Sequence, residues 1–237
     1  LLKANHIQQV TAKSYEADDE PTPDFLLEQR ISGNGSLITT TTGYPSTGRS
    51  VSSSFYINDR ISKTADSSEN IKSTTTYVYD GNNIASITTI TEDVFMENSL
   101  QEIHLWLYQN NLPVKMLLIK NNTDTTVIDL IKDGLGNVAE EHWKKKGRTI
   151  EKYFYYYNDQ HLLTDIVRFN TKARQLLPEY ILSYNNTGTL TQFTQVPQNS
   201  SDYLIWQYTY LPGGLKEKEL CLNKQNHILG RIEYSYK

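Results

Sequence analysis

The chain has 237 residues, a net charge of −4 at pH 7 and a hydrophobic fraction of 38% that includes 17 tyrosines, so its apolar surface is aromatic rather than aliphatic. The acidic balance disfavours nucleic-acid or anionic-membrane binding as a dominant role. The single Cys221 excludes an internal disulfide, and no apolar run reaches the roughly 18 residues of a helical membrane span.

From the N-terminus, residues 6–14 read as a strand, residues 16–21 as an acidic, proline-bearing connection, and residues 25–31 as a strand. Residues 1–24 are therefore either a degenerate repeat or a flexible tether. Residues 25–237 read as one array. Residues 32–76 are rich in Ser and Thr and poor in aromatics, and the pattern is weakest there. Beyond them, residues 74–79, 103–108, 153–157 and 204–210 are strands dense in β-branched and aromatic side chains. Between the strands lie turn clusters such as Asp80-Gly81-Asn82-Asn83, Asn185-Asn186-Thr187-Gly188 and Pro212-Gly213-Gly214.

A recurring anchor organises these elements: Ile31, Ile57, Tyr79, Tyr108, Ile131, Tyr157, Tyr184, Tyr210 and Tyr236. Each anchor but the last is followed, four to seven residues on, by an aliphatic residue: Leu37, Ile61, Ile84, Leu112, Val138, Leu162, Leu190 or Leu215. A period of about 26 residues holds two strands and two turns, so one repeat is one β-hairpin. The expected fold is all-β: an elongated, antiparallel, single-layer sheet of roughly sixteen strands, open, twisted or bent. Such a sheet would be about 75 Å across, and open sheets of that width curl, split or flatten, which predicts a bend in the N-terminal third.

Alternation along strands puts each anchor on one face with the residues two and four before it. That face is an aromatic grid, and its candidate ligand-binding residues are Trp106, Tyr108, Tyr155, Tyr157, Tyr184, Trp206 and Tyr208. Flat rings of this kind stack on sugars or fill a protein interface, or serve only to stabilise the sheet through cross-strand pairs.

Residues 77–84 and 133–138, with their Tyr-x-Tyr-Asp or Asp-Gly start, Gly/Asn turn and following aliphatic residue, resemble the tyrosine-aspartate (YD) repeats of Rhs-type proteins. The pattern over residues 25–237 resembles single-layer β-sheet proteins of hairpin repeats exported by gut Bacteroidetes, often as lipoproteins. The resemblance implies an open sheet at an extracytoplasmic site, in the periplasm or on the outer-membrane surface, after loss of a signal peptide or attachment through an upstream lipid anchor. It carries over no catalytic residue.

Other motifs read as structural. His6, His104, His142, His161 and His227 lack metal-site spacing, and in Glu140-Glu141-His142 only Glu140 and His142 share a face. Lys144-Lys145-Lys146-Gly147-Arg148 is a solvated hairpin tip, and Asp124-Thr125-Thr126 resembles a short O-glycosylation motif. No catalytic residue, metal or cofactor is expected. The leading expectation is a non-catalytic scaffold or binding module whose aromatic face meets a protein partner or a surface glycan. The alternatives are a carbohydrate-binding protein of a polysaccharide-uptake system and, below it, a hydrolase with carboxylates on the sheet. The free edge strands of an open array further predict edge-to-edge homodimers.

Overall fold

A computed structural model describes residues 1–44, 48–170, 174–197 and 202–237. After a short 3-10 turn, Lys3–Asn5, come eighteen strands. The first nine are β1 (Gln9–Glu16), β2 (Leu26–Ile31), β3 (Leu37–Tyr44), β4 (Gly48–Ile57), β5 (Arg60–Ser67), β6 (Ile71–Asp80), β7 (Asn83–Asp93), β8 (Asn98–Gln109) and β9 (Leu112–Lys120). The remainder are β10 (Asp124–Lys132), β11 (Val138–Lys145), β12 (Arg148–Tyr157), β13 (Leu163–Asn170), β14 (Gln175–Tyr184), β15 (Leu190–Gln195), β16 (Leu204–Tyr210), β17 (Lys216–Leu222) and β18 (Ile228–Tyr236). The nine anchors sit at or next to the C-terminal ends of the nine even-numbered strands, so one anchor marks one hairpin.

Each strand pairs antiparallel with its neighbours in sequence, and β1 pairs with β18 from Val10–Tyr236 to Glu16–Gly230. The sheet is therefore a closed eighteen-strand up-and-down barrel. This corrects the expected open, single-layer sheet, and with it the resemblance to YD-type and exported hairpin-repeat sheets. Closure has a physical cause in the stagger between strands. A row of paired residues runs from Thr75 in mid-β6 through Thr89 and Glu102 to Lys120 at the end of β9. That is a drift of about one residue per strand, the stagger of a barrel with strands tilted by about 36°. Coiling is thus spread over all nine hairpins, not concentrated in the N-terminal third. Both end strands are paired with each other, so the free edges assumed for edge-to-edge dimerisation are occupied.

The same geometry tells inside from outside. The N–H of Ile31, on the anchor face, points back to Gln8 ahead of β1. For L-residues, seen from the anchor face with the anchor ends upward, this makes strand number rise to the left. The downward drift of paired rows, combined with the right-handed coil of β-strands, requires strand number to rise to the right when seen from outside. The anchor face therefore lines the lumen. Tyr44 and Tyr234, three strands apart on that face, interact electrostatically, as befits a concave surface.

Eighteen strands at this tilt enclose a backbone cylinder about 30 Å across. The accessible surface, 15068 Å², exceeds the roughly 11,000 Å² of a compact chain of this mass, as a hollow wall requires. Burial is sparse: Ile128 is the one large side chain wholly removed from solvent among the described residues. It lies in the lumenal row Trp106–Met116–Ile128–Trp143, between Met116 and Trp143. At the anchor rim, Lys3 pairs with Asp59 at 2.8 Å and packs against Gly35, while Leu1 and Asn5 rest on Gly214 and Gly213. These turns are up to six strands apart, so residues 1–7 cross that mouth as a chord.

Candidate ligand-binding lumen

Most anchors lie beside a register shift near the hairpin turn, as at Val78/Tyr79, Leu107/Tyr108 and Tyr156/Tyr157. The extra residue of each bulge lies on the following strand, Ala85, Val114 or Thr164, while the ring reaches back toward the preceding strand. There the hydroxyl donates to a main-chain carbonyl: Tyr79 to Ile61 at 2.9 Å, Tyr108 to Ile84, Tyr157 to Val138 and Tyr184 to Leu163 at 2.8 Å, Tyr210 to Leu190 at 2.7 Å, and Tyr236 to Lys216. The acceptors are the aliphatic residues of the preceding repeat or the residue after them. The sequence repeat is thus a row of inter-hairpin ties along one rim. Ile57 and Ile131 depart from the expected common face: each lies three residues beyond a lumenal position, Ser54 and Ile128, in an unbulged strand, so both point outward, and both are exposed.

All seven candidate ligand-binding residues face the lumen, yet they divide by chemistry. Tyr108, Tyr157 and Tyr184 spend their hydroxyls on the rim ties, and burial raises their pKa values above the ordinary tyrosine range. Tyr208 lies under the Lys216 ammonium, 4.7 Å from the ring centre. Its pKa is pushed up to about 12, first by burial and then by Glu219. Tyr155 is raised further, by burial and then by the carboxylate of Glu141. Trp106 tilts against His104 with ring centres 5.8 Å apart, and Trp206 is paired between Phe193 and Cys221. β8 and β16 are eight strands apart on a ring of eighteen, so closure sets Trp106 and Trp206 on nearly opposite walls.

The structure adds residues that the sequence reading passed over. Trp143 shares the lumenal row of Trp106, donates its indole N–H to Glu141 at 2.9 Å and packs on Tyr153 at 5.8 Å. Its place was hidden because it lies on the return strand of a hairpin, where the anchor gives no parity across the turn. Beside it, Arg168 binds Glu151 at 2.7 Å, and Tyr153 is pushed up to about 12 by burial, with Glu151 and Glu179 adding to the effect. Elsewhere on the lumenal wall Glu102 meets Lys120 and His104, Asp124 meets Lys145, and Glu219 meets Lys216 and the Tyr234 hydroxyl.

Glu140 and His142 do share a face, joined at 2.7 Å, but it is the outer one. Among the described residues no group of three or more His, Cys, Asp or Glu is arranged to hold a metal ion. Cys221 is buried, and burial raises its thiol pKa.

No protein-family model matches the chain, and no curated protein matches it significantly. Among solved structures it is similar to a porin-like protein from Bacteroides uniformis (10% identity, 98% of each chain covered, TM-score 0.44) and to one from Bacteroides vulgatus (12% identity, 98% of each chain, TM-score 0.30). It is also similar to the Photorhabdus luminescens Tc holotoxin pore, at 11% identity and TM-score 0.35; there 90% of this chain matches but only 16% of that one. At these scores the likenesses carry no functional information, and the barrel assignment stands on this chain's own strand pairing.

Proposed function

We propose that this protein is a non-catalytic, extracytoplasmic barrel whose aromatic lumen binds one elongated glycan chain. The observation that supports this reading is the placement of Trp106 and Trp206 on nearly opposite lumenal walls, with tyrosines between them along the perimeter. A folded protein partner would meet the outer wall, whereas a polymer one sugar wide enters a lumen of this width and stacks on the rings of either wall. A non-catalytic role is favoured because four lumenal carboxylates, Glu102, Asp124, Glu151 and Glu219, are each engaged by a cation, and Glu141 accepts from Trp143.

The barrel body stands in water in this reading. Outward positions at mid-wall carry Lys13, Lys63, Lys115, Asp129, Lys144 and Lys218, and each such Lys at a bilayer midplane would cost about 2–4 kcal/mol. The periplasm or the outer-membrane surface suits it, and fractionation with protease shaving of intact cells tests that placement.

Tryptophan fluorescence titrated with linear oligosaccharides of increasing length tests the binding. Saturable changes are expected, with affinity rising with chain length to a plateau and falling in Trp106→Ala and Trp206→Ala. A flat response across plant, host and bacterial glycans would overturn the reading and leave the rings structural.

A further inference from the structure

The wall of the barrel is acidic inside. Lumenal strand positions carry Glu16, Asp66, Asp93, Glu102, Asp124, Glu141, Glu151 and Glu219, whereas the cations among them are Lys120, Lys132, Lys145, Arg148, Arg168 and Lys216. The bulged Glu179 adds a carboxylate that acts on the Tyr153 hydroxyl and on Arg168. A lined channel concentrates the potential of such charges and raises the local concentration of ions of opposite sign.

On the wall formed by β11 to β14 the lumenal cations Lys145 and Arg148 lie at the hairpin tip, where Lys145 is held by Asp124, and two carboxylates nearer mid-wall are left without an ion pair among the described residues. Glu141 accepts from Trp143 and meets the Tyr155 hydroxyl. Both are neutral donors, and neither Glu141 nor Glu179 has an ion-pair partner among the described residues. One guanidinium, Arg168, serves both Glu151 at 2.7 Å and the field of Glu179. Glu179 Oε2 is closed off from water without a hydrogen-bond partner. Three rings, those of Trp143, Tyr153 and Tyr155, stand beside this uncompensated negative charge. Aromatic faces backed by carboxylates are the surroundings that favour an organic ammonium group.

Building on the proposed lumenal glycan binding, we infer that this wall selects chains bearing free amines, with an amino sugar seated on Trp143, Tyr153 and Tyr155 within the field of Glu141 and Glu179. Uronate or sulfated chains are repelled by the same field, and neutral chains bind through the rings alone.

The test compares three probes by calorimetry: a glucosamine hexamer with protonated amines, its fully N-acetylated counterpart and a uronic-acid hexamer. The free-amine chain is expected to bind about ten-fold more tightly than the acetylated one, with a preference that shrinks as salt is raised, and the uronate not at all. Glu141→Gln and Glu179→Gln should each reduce the preference while leaving affinity for the acetylated chain unchanged, with cooperative unfolding retained as the check on folding. Equal binding of the amine and acetylated chains, or a preference that survives both substitutions, would overturn this inference while leaving lumenal glycan binding intact. If none of the three probes binds, the parent reading fails and this one with it.

Discussion

The hydroxyl of Tyr157 donates to the carbonyl of Val138 at 2.8 Å, joining the end of one hairpin to the start of the return strand before it. Phenylalanine at this position keeps the ring but leaves the carbonyl without its donor. Tyr157→Phe is expected to lower stability by about 1 kcal/mol, read as a lower urea midpoint at unchanged slope. Changing Tyr79, Tyr108, Tyr184 and Tyr210 in the same way should add further losses, because these ties lie strands apart. A five-fold Phe variant as stable as the parent would show that the ties are incidental.

The lumenal row around Ile128 is the nearest thing to a core. Its side chain is 0% exposed, whereas that of Ile90, on the outer wall, is 40% exposed. Ile128→Ala is expected to cost about 2–5 kcal/mol, and Ile90→Ala about 0.5 kcal/mol or less. Equal costs by denaturant unfolding would contradict the assignment of inner and outer faces.

Alkali should unfold the barrel earlier than a typical globular protein. Tyr153 and Tyr208 are pushed up to about 12 by burial first and then by nearby carboxylates, against a value near 10 in the unfolded chain. Below pH 10 both states are neutral and their stabilising contribution is fully present. Between about 10 and 12 the unfolded chain loses these protons while the folded one keeps them, so stability falls as pH rises. The thermal midpoint should therefore be level up to about pH 9 and decline through that window, less steeply in Tyr153→Phe and Tyr208→Phe.

Gly230, on β18, tests the seam. A Cβ there would stand 2.9 Å from the Tyr15 carbonyl oxygen in β1, on a seam whose outer side is held by Arg231 stacked 4.0 Å over the Tyr15 ring. Gly230→Ala is expected to cost about 1–3 kcal/mol and to release two strand edges that template further pairing. Light scattering should show association in the variant and none in the parent.

The hairpins, their turns and the common face of the seven anchors other than Ile57 and Ile131 were legible in the sequence because strand alternation and Gly/Asn turns are local signals; those two isoleucines fall on the outer face, one residue out of step with the lumenal Tyr56 and Lys132. Nine anchors correspond to nine hairpins, and all seven candidate residues do share one face. Closure was not legible, since it depends on pairing residues 10–16 with 230–236 across the whole chain. No local pattern distinguishes a coiled sheet that meets itself from one that stays open. Residues 1–24 read either as a degenerate repeat, with a strand over residues 6–14, or as a tether, because an acidic run follows; residues 9–16 form the strand that seals the ring. The shape of the site was hidden for the same reason: closure sets Trp106 and Trp206 on nearly opposite walls of a lumen that Trp143 also lines.

The most direct test of the closed ring is a disulfide across the seam. Thr11 in β1 and Ser235 in β18 are paired, outward-facing positions, within the Cα separation a disulfide tolerates; in an open sheet seventeen strand spacings would part them by about 80 Å. Thr11→Cys and Ser235→Cys are combined with Cys221→Ala to remove the native thiol, and the monomer fraction is oxidised and digested for mass spectrometry. The closed barrel gives a reducible peptide joining residues 11 and 235 within one chain. Free thiols in the monomer, with any cross-link confined to dimers, would contradict it.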